Sequence, residues 1–470
     1  MKCFFSVLST QYSSLMHLLY SLLLTLGVIA LLPRFVADAF RHGKYVAGLR
    51  ERLGRLPSIE TNGLPVVWLH CVSVGEAQAA RPLARAILKR FPSHALIVST
   101  TTLTGQRVAR DVFRDDAAAV IYFPFDWAWT ARRALRVISP RVVLIMETEL
   151  WPNFLRECRR RRVPVAIVNG RLSERSFRRY HLIQRFIKRI VNNLDLALMQ
   201  TDSDARRMRA LGLLPERVMV TGNVKFDMGA DACEQERTAE LRELFALDDG
   251  RKLIVAASTH APEERLILEA FKRLRSTVGD NQVRMLIAPR HPERFSEVAS
   301  LMESSGLSWS RRSTASGNLD RRSDLLLLDS IGELRAVYPL ASIVFIGGSL
   351  TPVGGHNILE PAAAGVCAVT GAHTFNFKAI VASFLEADAL VQLPALAIKD
   401  VPLSLAQVLQ ELLANDARRR VLGENARAVL EKNRGETERT IKLLAPIFAP
   451  SSDQPEQTQP EDARRGALST

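Results

Sequence analysis

A glycine-rich stretch in the last third of the chain has the composition of an anion-binding loop. It reads FIGGSLTPVGGHNILEPAAAG, with two glycine pairs and a histidine between an apolar run and a helical pattern. The β-branched and aromatic run at 343–346 is typical of a buried strand, and Asn357 can cap a helix over 358–364. Paired glycines let backbone amides approach a ligand closely, and a helix N-terminus favours negative charge. The stretch therefore predicts contact with an anionic ligand.

A second polar loop carries an arginine at the end of a predicted strand. The run VRMLIA is followed by Pro289 and Arg290, and a guanidinium there suits bidentate pairing with phosphate or carboxylate. A solvated turn of charged residues is the simpler alternative. Glu360, in the first turn of the predicted helix 358–364, allows two interpretations as well. It could hold ribose hydroxyls, or it could only stabilise the helix dipole.

A third polar loop follows the run LLLLDS and contains Gly332, Glu333 and Leu334. Its backbone amides and one carboxylate could hold a ribose or a base. Ser330 and Glu333 also fit a simple helix capping box, so this loop alone is a weak indication. Three loops at the ends of successive strands would converge on one pocket, and this convergence favours a nucleotide.

One carboxylate in the first half has the position of a catalytic base. The run VVWLH ends at His70, the sequence CVSVG turns into a helix, and Glu76 lies at this strand-to-helix junction. A carboxylate at such a junction can take a proton from a substrate hydroxyl. Ser73 and Glu76 also fit a capping box, so the local pattern leaves catalysis and capping open.

The elements that would position these residues alternate between strands and helices. The alternation begins at Leu64, is interrupted by a polar stretch at 227–250, and then restarts. Such alternation predicts α/β architecture with doubly wound parallel sheets, in two Rossmann-like domains that face a cleft. We expect an acceptor-side domain at 35–226, a linker at 227–250 and a nucleotide-binding domain at 251–448. The polar, proline-containing tail at 449–470 is expected to be disordered.

The N-terminus predicts a membrane anchor within residues 1–34. Leu15 to Leu32 is almost entirely apolar, at the short end of the length that spans a bilayer. Only Lys2 precedes the segment, and basic residues follow it at Arg34, Arg41, Lys44, Arg50, Arg52 and Arg55. The positive-inside rule then places the body on the cytoplasmic face of the membrane. A cleaved signal peptide or a helix on the membrane surface are the alternatives.

Composition limits the class of partner. The formal net charge of +14 over 470 residues implies an anionic partner: nucleic acid, acidic lipid or a phosphorylated substrate. Aromatic residues make up only 7% of the chain and do not interleave the basic runs, which argues against nucleic acid. The five cysteines form no CxxC pair, which argues against a zinc site and a disulfide framework. Two basic runs could face anionic lipids: Arg156, Arg159, Arg160, Arg161 and Arg162, then Arg175, Arg178, Arg179, Arg185, Lys188 and Arg189.

The motifs together resemble one enzyme family. The sequences HCVSVGEAQAARPL, METELWPN, NGRLSERS, TGNVKFD, ASTHAPEE, APRHPER and the glycine-rich stretch are similar to those of the 3-deoxy-D-manno-octulosonic acid (Kdo) transferases of lipopolysaccharide synthesis. The resemblance extends from the predicted anchor to about Phe448. It implies a membrane-anchored GT-B glycosyltransferase of the inner membrane, with CMP-Kdo as donor, a lipid A precursor as acceptor and no metal.

The resemblance also implies roles for individual residues. The nucleotide would be held by Pro289-Arg290, by Gly332-Glu333-Leu334 and by the helix start Asn357-Ile358-Leu359-Glu360. Glu76 matches the catalytic base, and Glu147 and Lys225 match two residues that stabilise the transition state. No DxD-type metal pair follows a strand of the nucleotide half, so amides and Arg290 would meet the charge of the leaving group.

Two other classes of function remain open from the sequence. A GT-B enzyme that uses a UDP-sugar on a lipid acceptor would have a similar nucleotide site. A non-enzymatic scaffold for nucleic acid or membrane is suggested by the net charge of +14. An assay that compares turnover of CMP-Kdo with turnover of UDP-sugars distinguishes a Kdo transferase from the first alternative. Salt-dependent binding to random RNA would favour the second alternative.

Overall fold

The computed structural model describes residues 16–31, 48–227, 232–314 and 323–448. Contacts within the chain divide it into two units. The first unit comprises Met1–Asn223 and Glu436–Thr470, and the second comprises Val224–Gly435. Each unit contains a seven-stranded sheet whose strands are all parallel. The predicted α/β class with two parallel sheets is therefore confirmed.

The first sheet is built from short apolar strands that are buried on both faces, as parallel strands are. Its order is β3-β2-β1-β4-β5-β6-β7. The strands are β1 (Val66–His70), β2 (Ala95–Thr100), β3 (Ala119–Tyr122), β4 (Pro140–Met146), β5 (Val165–Gly170), β6 (Leu196–Met199) and β7 (Val218–Val220).

Helices connect the strands of the first unit and pack their apolar sides on the sheet. Among the described residues they are α1 (16–31), α2 (Leu49–Arg52), α3 (Val74–Arg90), α4 (Leu103–Val112), α5 (Ala128–Ile138), α6 (Pro152–Arg160), α7 (Glu174–Leu182), α8 (Gln184–Val191), α9 (Asp202–Ala210) and, from the end of the chain, α18 (Glu436–Phe448).

The second sheet has the order β10-β11-β9-β8-β12-β13-β14, and apolar clusters cover it on both faces. Its strands are β8 (Lys252–Thr259), β9 (Val283–Pro289), β10 (Trp309–Arg311), β11 (Leu325–Leu327), β12 (Ile343–Ile346), β13 (Ala368–Thr370) and β14 (Val391–Gln392). Its described helices are α10 (Ala232–Leu244), α11 (Glu263–Val278), α12 (Phe295–Glu303), α13 (Leu334–Val337), α14 (Leu359–Ala363), α15 (Lys378–Glu386), α16 (Val401–Ala414) and α17 (Asp416–Lys432).

Both sheets change direction at one point between two central strands. In the first sheet the chain builds outward from β1 through β2 to β3, then returns to the other side of β1 with β4. In the second sheet it builds outward from β8 through β9, then returns beside β8 with β12. Loops after the two strands at such a switch point diverge and leave a crevice, where α/β proteins bind ligands.

Two segments are assigned differently from the predicted boundaries. The stretch 227–250, predicted as a linker with a helix in it, does contain the helix α10, but Leu241 and Phe245 there are buried in the core of the second unit. Helix α18, predicted within the second domain, belongs to the first unit, where Phe448 stacks on Phe91 at 4.3 Å between ring centroids. In both segments the apolar side chains pack against a unit that offers an apolar surface, and this packing decides to which unit the segment belongs.

The predicted membrane segment coincides with α1. Its two end residues and the basic residues at 34, 41 and 44 lie outside the described residues, as does the predicted tail at 449–470. Within the part of the chain that the structure describes, none of the helices combines the length and the apolar character needed to cross a membrane.

Candidate active site

The Glu76 carboxylate lies at the switch point of the first sheet. Strand β1 ends at His70, and Ser73 caps α3, so that Glu76 is in the first turn of this helix. Its two carboxylate oxygens accept hydrogen bonds from the Val72 amide at 2.8 Å and the Ser73 hydroxyl at 2.9 Å. Glu76 therefore takes part in a cap, although it binds the amide of Val72 rather than that of Ser73.

A second acidic group follows the neighbouring strand of the same switch point. Glu147 comes directly after β4 and has a left-handed φ of 55°, which is uncommon for a residue with a side chain. Glu149 follows two residues later. Burial, and then the charge of Glu147, raise the pKa of Glu149 above its ordinary value. The METELWPN motif thus places two carboxylates beside the end of β1.

Burial and the neighbouring charge change the protonation of Glu76. Only 8% of the residue is exposed. Burial raises the pKa of Glu76 to about 7, the charge of Glu147 adds to the increase, and the hydrogen bonds from Val72 and Ser73 oppose it. A carboxylate with a pKa near 7 is well matched to accept a proton near neutral pH.

Arg290 follows the end of β9 in the second unit and is exposed. Its backbone amide donates to the Thr259 carbonyl at 3.0 Å, which ties the loop to the end of β8. Within the described residues no carboxylate pairs with its guanidinium, whereas Arg294 in the same loop binds Glu264 at 2.6 Å. Arg290 is thus placed for an external anion, and the two prolines of the turn hold the loop.

The glycine-rich loop already holds an anion that belongs to the chain itself. The Glu263 carboxylate accepts hydrogen bonds from the amides of Gly348, Ser349 and Leu350 at 2.6, 2.9 and 2.8 Å, and from the His260 amide at 3.0 Å. Glu263 is fully buried. The expectation that these amides contact a ligand is therefore wrong for residues 348–350.

The first glycine pair serves close packing at the switch point. A side chain on Gly347 would come within 2.5 Å of the Ser258 carbonyl oxygen, in the chain of β8. Gly348 has a φ of +66°, and a side chain there would meet the His356 ring at 2.9 Å. The imidazole of His356 occupies the space that Gly348 leaves open, and its Nε2 lies 2.7 Å from the Nε2 of His260.

The Gly332-Glu333-Leu334 loop is held by ion pairs. Glu333 accepts hydrogen bonds from the Arg312 guanidinium at 3.0 Å, and also from Arg237 and Ser330. Burial alone would raise the pKa of Glu333, but the hydrogen bonds from Ser330 and Arg312 hold it below its ordinary value. The carboxylate is therefore committed to its own unit, and the backbone of this loop is the part left for a ligand.

The Asn357–Glu360 segment leads into α14, which begins at Leu359 with Ile358 rather than the predicted Asn357 at its N-cap. The Asn357 side chain accepts the Leu359 amide at 3.1 Å. Ile358 and Leu359 are each 1% exposed and lie in the core, so only their backbone groups could meet a ligand. Glu360 is partly exposed and accepts from Arg335 Nε at 3.3 Å.

Lys225 lies in the second unit, in a short 3-10 helix over Val224–Asp227. Its Nζ is 5.8 Å from the centroid of the Phe377 ring. Lys225 therefore belongs to the same unit as Arg290 and the glycine-rich loop, whereas Glu76 and Glu147 belong to the first unit.

Sequence reasoning missed four residues at the two switch points. Glu149, His260, Glu263 and His356 all lie within the motifs ASTHAPEE, METELWPN or GGHN, yet single residues in them gave no indication of contact. The structure shows two adjacent buried acids at the start of α11, Glu263 and Glu264. Burial of a charge is costly without partners, so only the structure reveals that Glu263 must be bound. Among the described residues, none of the groups of His, Cys, Asp and Glu could hold a metal ion.

Comparison with known proteins identifies similar chains. The family model described as 3-deoxy-D-manno-octulosonic-acid transferase (kdotransferase) matches residues 47–228. The 3-deoxy-D-manno-octulosonic acid transferase of Haemophilus influenzae is 33% identical over 405 residues, covering 86% of this chain and 92% of that protein. The enzyme of the same description from Bordetella pertussis is 35% identical over 386 residues, covering 80% and 86%.

A solved structure shows a similar fold at low sequence identity. The crystal structure of a glycosyltransferase from Rickettsia africae ESF-5 matches with a TM-score of 0.55 and 11% identity, and it covers 83% of this chain and 100% of that chain. At this identity the similarity concerns the fold alone, and it agrees with the predicted glycosyltransferase architecture.

Proposed function

Because this chain belongs to the 3-deoxy-D-manno-octulosonic acid transferase family, we propose that it transfers Kdo from CMP-Kdo to a lipid A precursor (lipid IVA) and releases CMP. The observation that carries the mechanism is the buried Glu76, whose pKa is about 7, at the switch point of the first sheet. The reaction is a step of lipopolysaccharide synthesis with inversion at the reacting carbon of the sugar.

In the proposed reaction Glu76 acts as the general base. The oxygen of an acceptor hydroxyl forms a bond to the reacting carbon, and the bond from that carbon to the CMP phosphate breaks on the opposite face. CMP leaves with the electron pair, and Glu76 takes the proton of the hydroxyl. A glycosyl transition state carries positive charge, so the carboxylate of Glu147 would stabilise it while also raising the pKa of Glu76.

The second unit would hold the donor. The unpaired Arg290 guanidinium suits a charge-assisted, bidentate contact with the phosphate, and Lys225 would add positive charge as CMP departs. The ribose and base would contact Pro289, the backbone of Gly332, Glu333 and Leu334, and the segment Asn357–Glu360. The proposal includes no metal, because amides and cations of these loops would meet the charge of the leaving group.

We also propose that the first unit binds the inner membrane through α1. Leucines and an isoleucine on one face of this helix are between 47% and 66% exposed: Leu18, Leu19, Leu22, Leu23, Leu26, Ile29 and Leu31. The opposite face is tied to the unit, since Asn153 donates to the Ser21 hydroxyl and Trp127 donates to the Thr25 hydroxyl, both at 3.0 Å. An amphipathic helix fixed in this way presents its apolar face to lipid.

Charge near this face fits anionic lipids. The Phe186 ring on α8 contacts the buried His17 of α1 at 5.8 Å between centroids, so the basic helix α8 packs against α1. Leu182 and Ile183, at the junction of α7 and α8, are 86% and 52% exposed. Basic residues around exposed apolar ones are typical of a surface that docks on the cytoplasmic leaflet.

The test of the proposed function is direct. The purified chain, incubated with CMP-Kdo and a tetraacyl lipid A precursor, should yield a lipid whose mass has increased by Kdo and should release CMP in equal amount. Parallel reactions with UDP-sugars should yield no product. Transfer from a UDP-sugar but not from CMP-Kdo would reject the proposal.

A further inference from the structure

The switch point of the second sheet holds a pair of histidines to which the proposed reaction assigns no role. His260 directly follows β8, and His356 lies in the glycine-rich loop after β12, the two strands that flank this switch point. Their rings are parallel, with centroids 5.0 Å apart and an interplanar angle of 5°, and they meet through their Nε2 atoms, which are 2.7 Å apart. We propose that the His260–His356 pair binds an anionic group of the donor and takes up one proton as it does so.

Hydrogen-bond chemistry limits the states of this pair. At 2.7 Å one Nε2 must donate a proton and the other must accept it, so in the neutral pair only one ring can carry a hydrogen on its Nδ1. A single added proton goes to the Nδ1 of the donating ring, which leaves the shared hydrogen bond intact. The pair then carries one positive charge and two Nδ1 donors, a suitable partner for an anion.

Burial and neighbouring positive charges keep the histidine pair neutral. Burial lowers the pKa of His356 to about 3, and the charges of His260, Arg290 and His291 contribute. Burial also lowers the pKa of His260, with His291, Arg290 and Arg294 acting in the same direction and Glu264 opposing them. The nearby Glu263 carboxylate accepts hydrogen bonds from four backbone amides, including that of His260, and burial raises its pKa.

A bound anion reverses this balance. One negative charge about 4 Å from an imidazole raises its pKa by about three at an effective dielectric constant of about 20, and a phosphate dianion raises it by more. The arrival of the anion would therefore favour the singly protonated pair over the neutral pair. Linkage then requires affinity for the anion to fall about tenfold for each pH unit between the pKa of the free pair and that of the bound pair.

Both anionic groups of the proposed donor fit this chemistry, so the inference rests on the proposed function. The phosphate of CMP and the carboxylate of Kdo are the two candidates. The wild-type protein is titrated with CMP, which carries only the phosphate, with free Kdo, which carries only the carboxylate, and with cytidine, which carries neither. Calorimetry at pH 7.5 in two buffers with different ionisation enthalpies counts the protons taken up.

The expected result is a net uptake of protons with CMP or with free Kdo, and none with cytidine. CMP is fully dianionic at pH 7.5, because the second pKa of a phosphate monoester is about 6, so its own titration contributes little. Uptake with CMP assigns the pair to the phosphate, and uptake only with Kdo assigns it to the carboxylate. CMP binding without proton uptake from either ligand overturns the inference and leaves the proposed function standing.

Variants identify the histidines. His260→Gln and His356→Gln should each abolish the uptake and weaken binding of the anion about tenfold, while cytidine affinity stays unchanged. The matched control is His181→Gln, which changes an exposed histidine on α7 of the first unit and should behave as wild type. If a variant unfolds, the ring resonances of isotope-labelled histidine in the wild-type protein decide: they must shift to the protonated form on binding. Absence of CMP binding by wild type would overturn both proposals.

Discussion

The two units share a parallel α/β architecture, but their strand orders differ and they carry different side chains at their switch points. In the first unit two carboxylates follow the strands of the switch point: Glu76 lies in the first turn of α3, after β1, and Glu147 lies directly after β4. In the second unit the loops that follow β8 and β12 contain the histidine pair, and Arg290 follows the adjacent strand β9. Under the functions that we propose, a switch point would support proton acceptance in one unit and anion binding in the other. Side chains at a few strand ends, and not the sheet, decide the chemistry.

The two units also differ in how they treat buried carboxylates. Glu263 is fully buried and bound by four amides, and burial raises its pKa while the hydrogen bonds from these amides oppose the increase. Glu76 has only two donors and faces the charge of Glu147, and its pKa is about 7. The two carboxylates differ in their surroundings, because the charge of Glu147 adds to the raised pKa of Glu76 whereas only backbone amides bind Glu263.

The largest expected effect concerns the carboxylate of the first switch point. Glu76→Gln should lower kcat about a hundred- to ten-thousandfold, because loss of a general base removes the proton acceptor while the shape of the side chain remains. Far-UV circular dichroism and CMP binding should stay as in wild type. Thr201→Ala is the control, since it removes a similar helix cap on α9 and should cost about 1 kcal/mol of stability without loss of turnover. Turnover of Glu76→Gln within about tenfold of wild type would make Glu76 only a cap.

A smaller effect is expected from the cation of the second unit. Arg290→Ala should weaken donor binding by about 1.5–3 kcal/mol, because a charge-assisted contact with phosphate is lost. The KM for CMP-Kdo should rise, and the KM for the acceptor should change little. Arg273→Ala, which removes an exposed ion pair on α11, is the matched control. Equal changes in both KM values would contradict a role limited to the donor.

The protonation of Glu76 predicts the pH dependence of the reaction. The base must be ionised, so kcat/KM should fall about tenfold per unit as pH decreases below about 7, the pKa of Glu76. The same raised pKa means that the folded state binds a proton that the unfolded state has lost between about pH 4.5 and 7. The contribution of Glu76 to the free energy of unfolding therefore decreases as pH rises through this window. A pH–rate profile that is flat from pH 5.5 to 8 would contradict the assignment of the base.

The smallest expected effect concerns binding of lipid by the exposed apolar face of α1 in the first unit. Leu22→Ser and Leu23→Ser should each lower binding to vesicles that contain anionic lipids by about fivefold, because less apolar area enters the membrane. Leu214→Ser, on an exposed leucine of the first unit outside α1, is the control. Sedimentation with vesicles measures the bound fraction. Wild-type binding by both α1 variants would remove the apolar face of α1 from the docking surface.

Much of the fold was accessible from the sequence because periodicity is a local property. Alternating apolar runs and amphipathic helices predicted both parallel sheets, and the short helix α14 after the glycine-rich loop lies where its pattern predicted a helix. The position of α18 in the first unit was not predictable from such patterns. Its apolar face has the same composition whichever unit it covers, so only the available partner surface decides.

The sequence by itself determined the family, the α/β class and the strand ends at which polar residues gather, because motifs and local periods are written along the chain. Only the tertiary structure decided which groups meet there. Glu263 fills the amides of the glycine loop, and His260 contacts His356 across 96 positions. Glu76 owes its raised pKa to burial and to Glu147, far away in sequence. Contact between distant residues depends on the register and order of strands, and burial sets the cost of each charge; neither quantity is encoded in spacing along the chain.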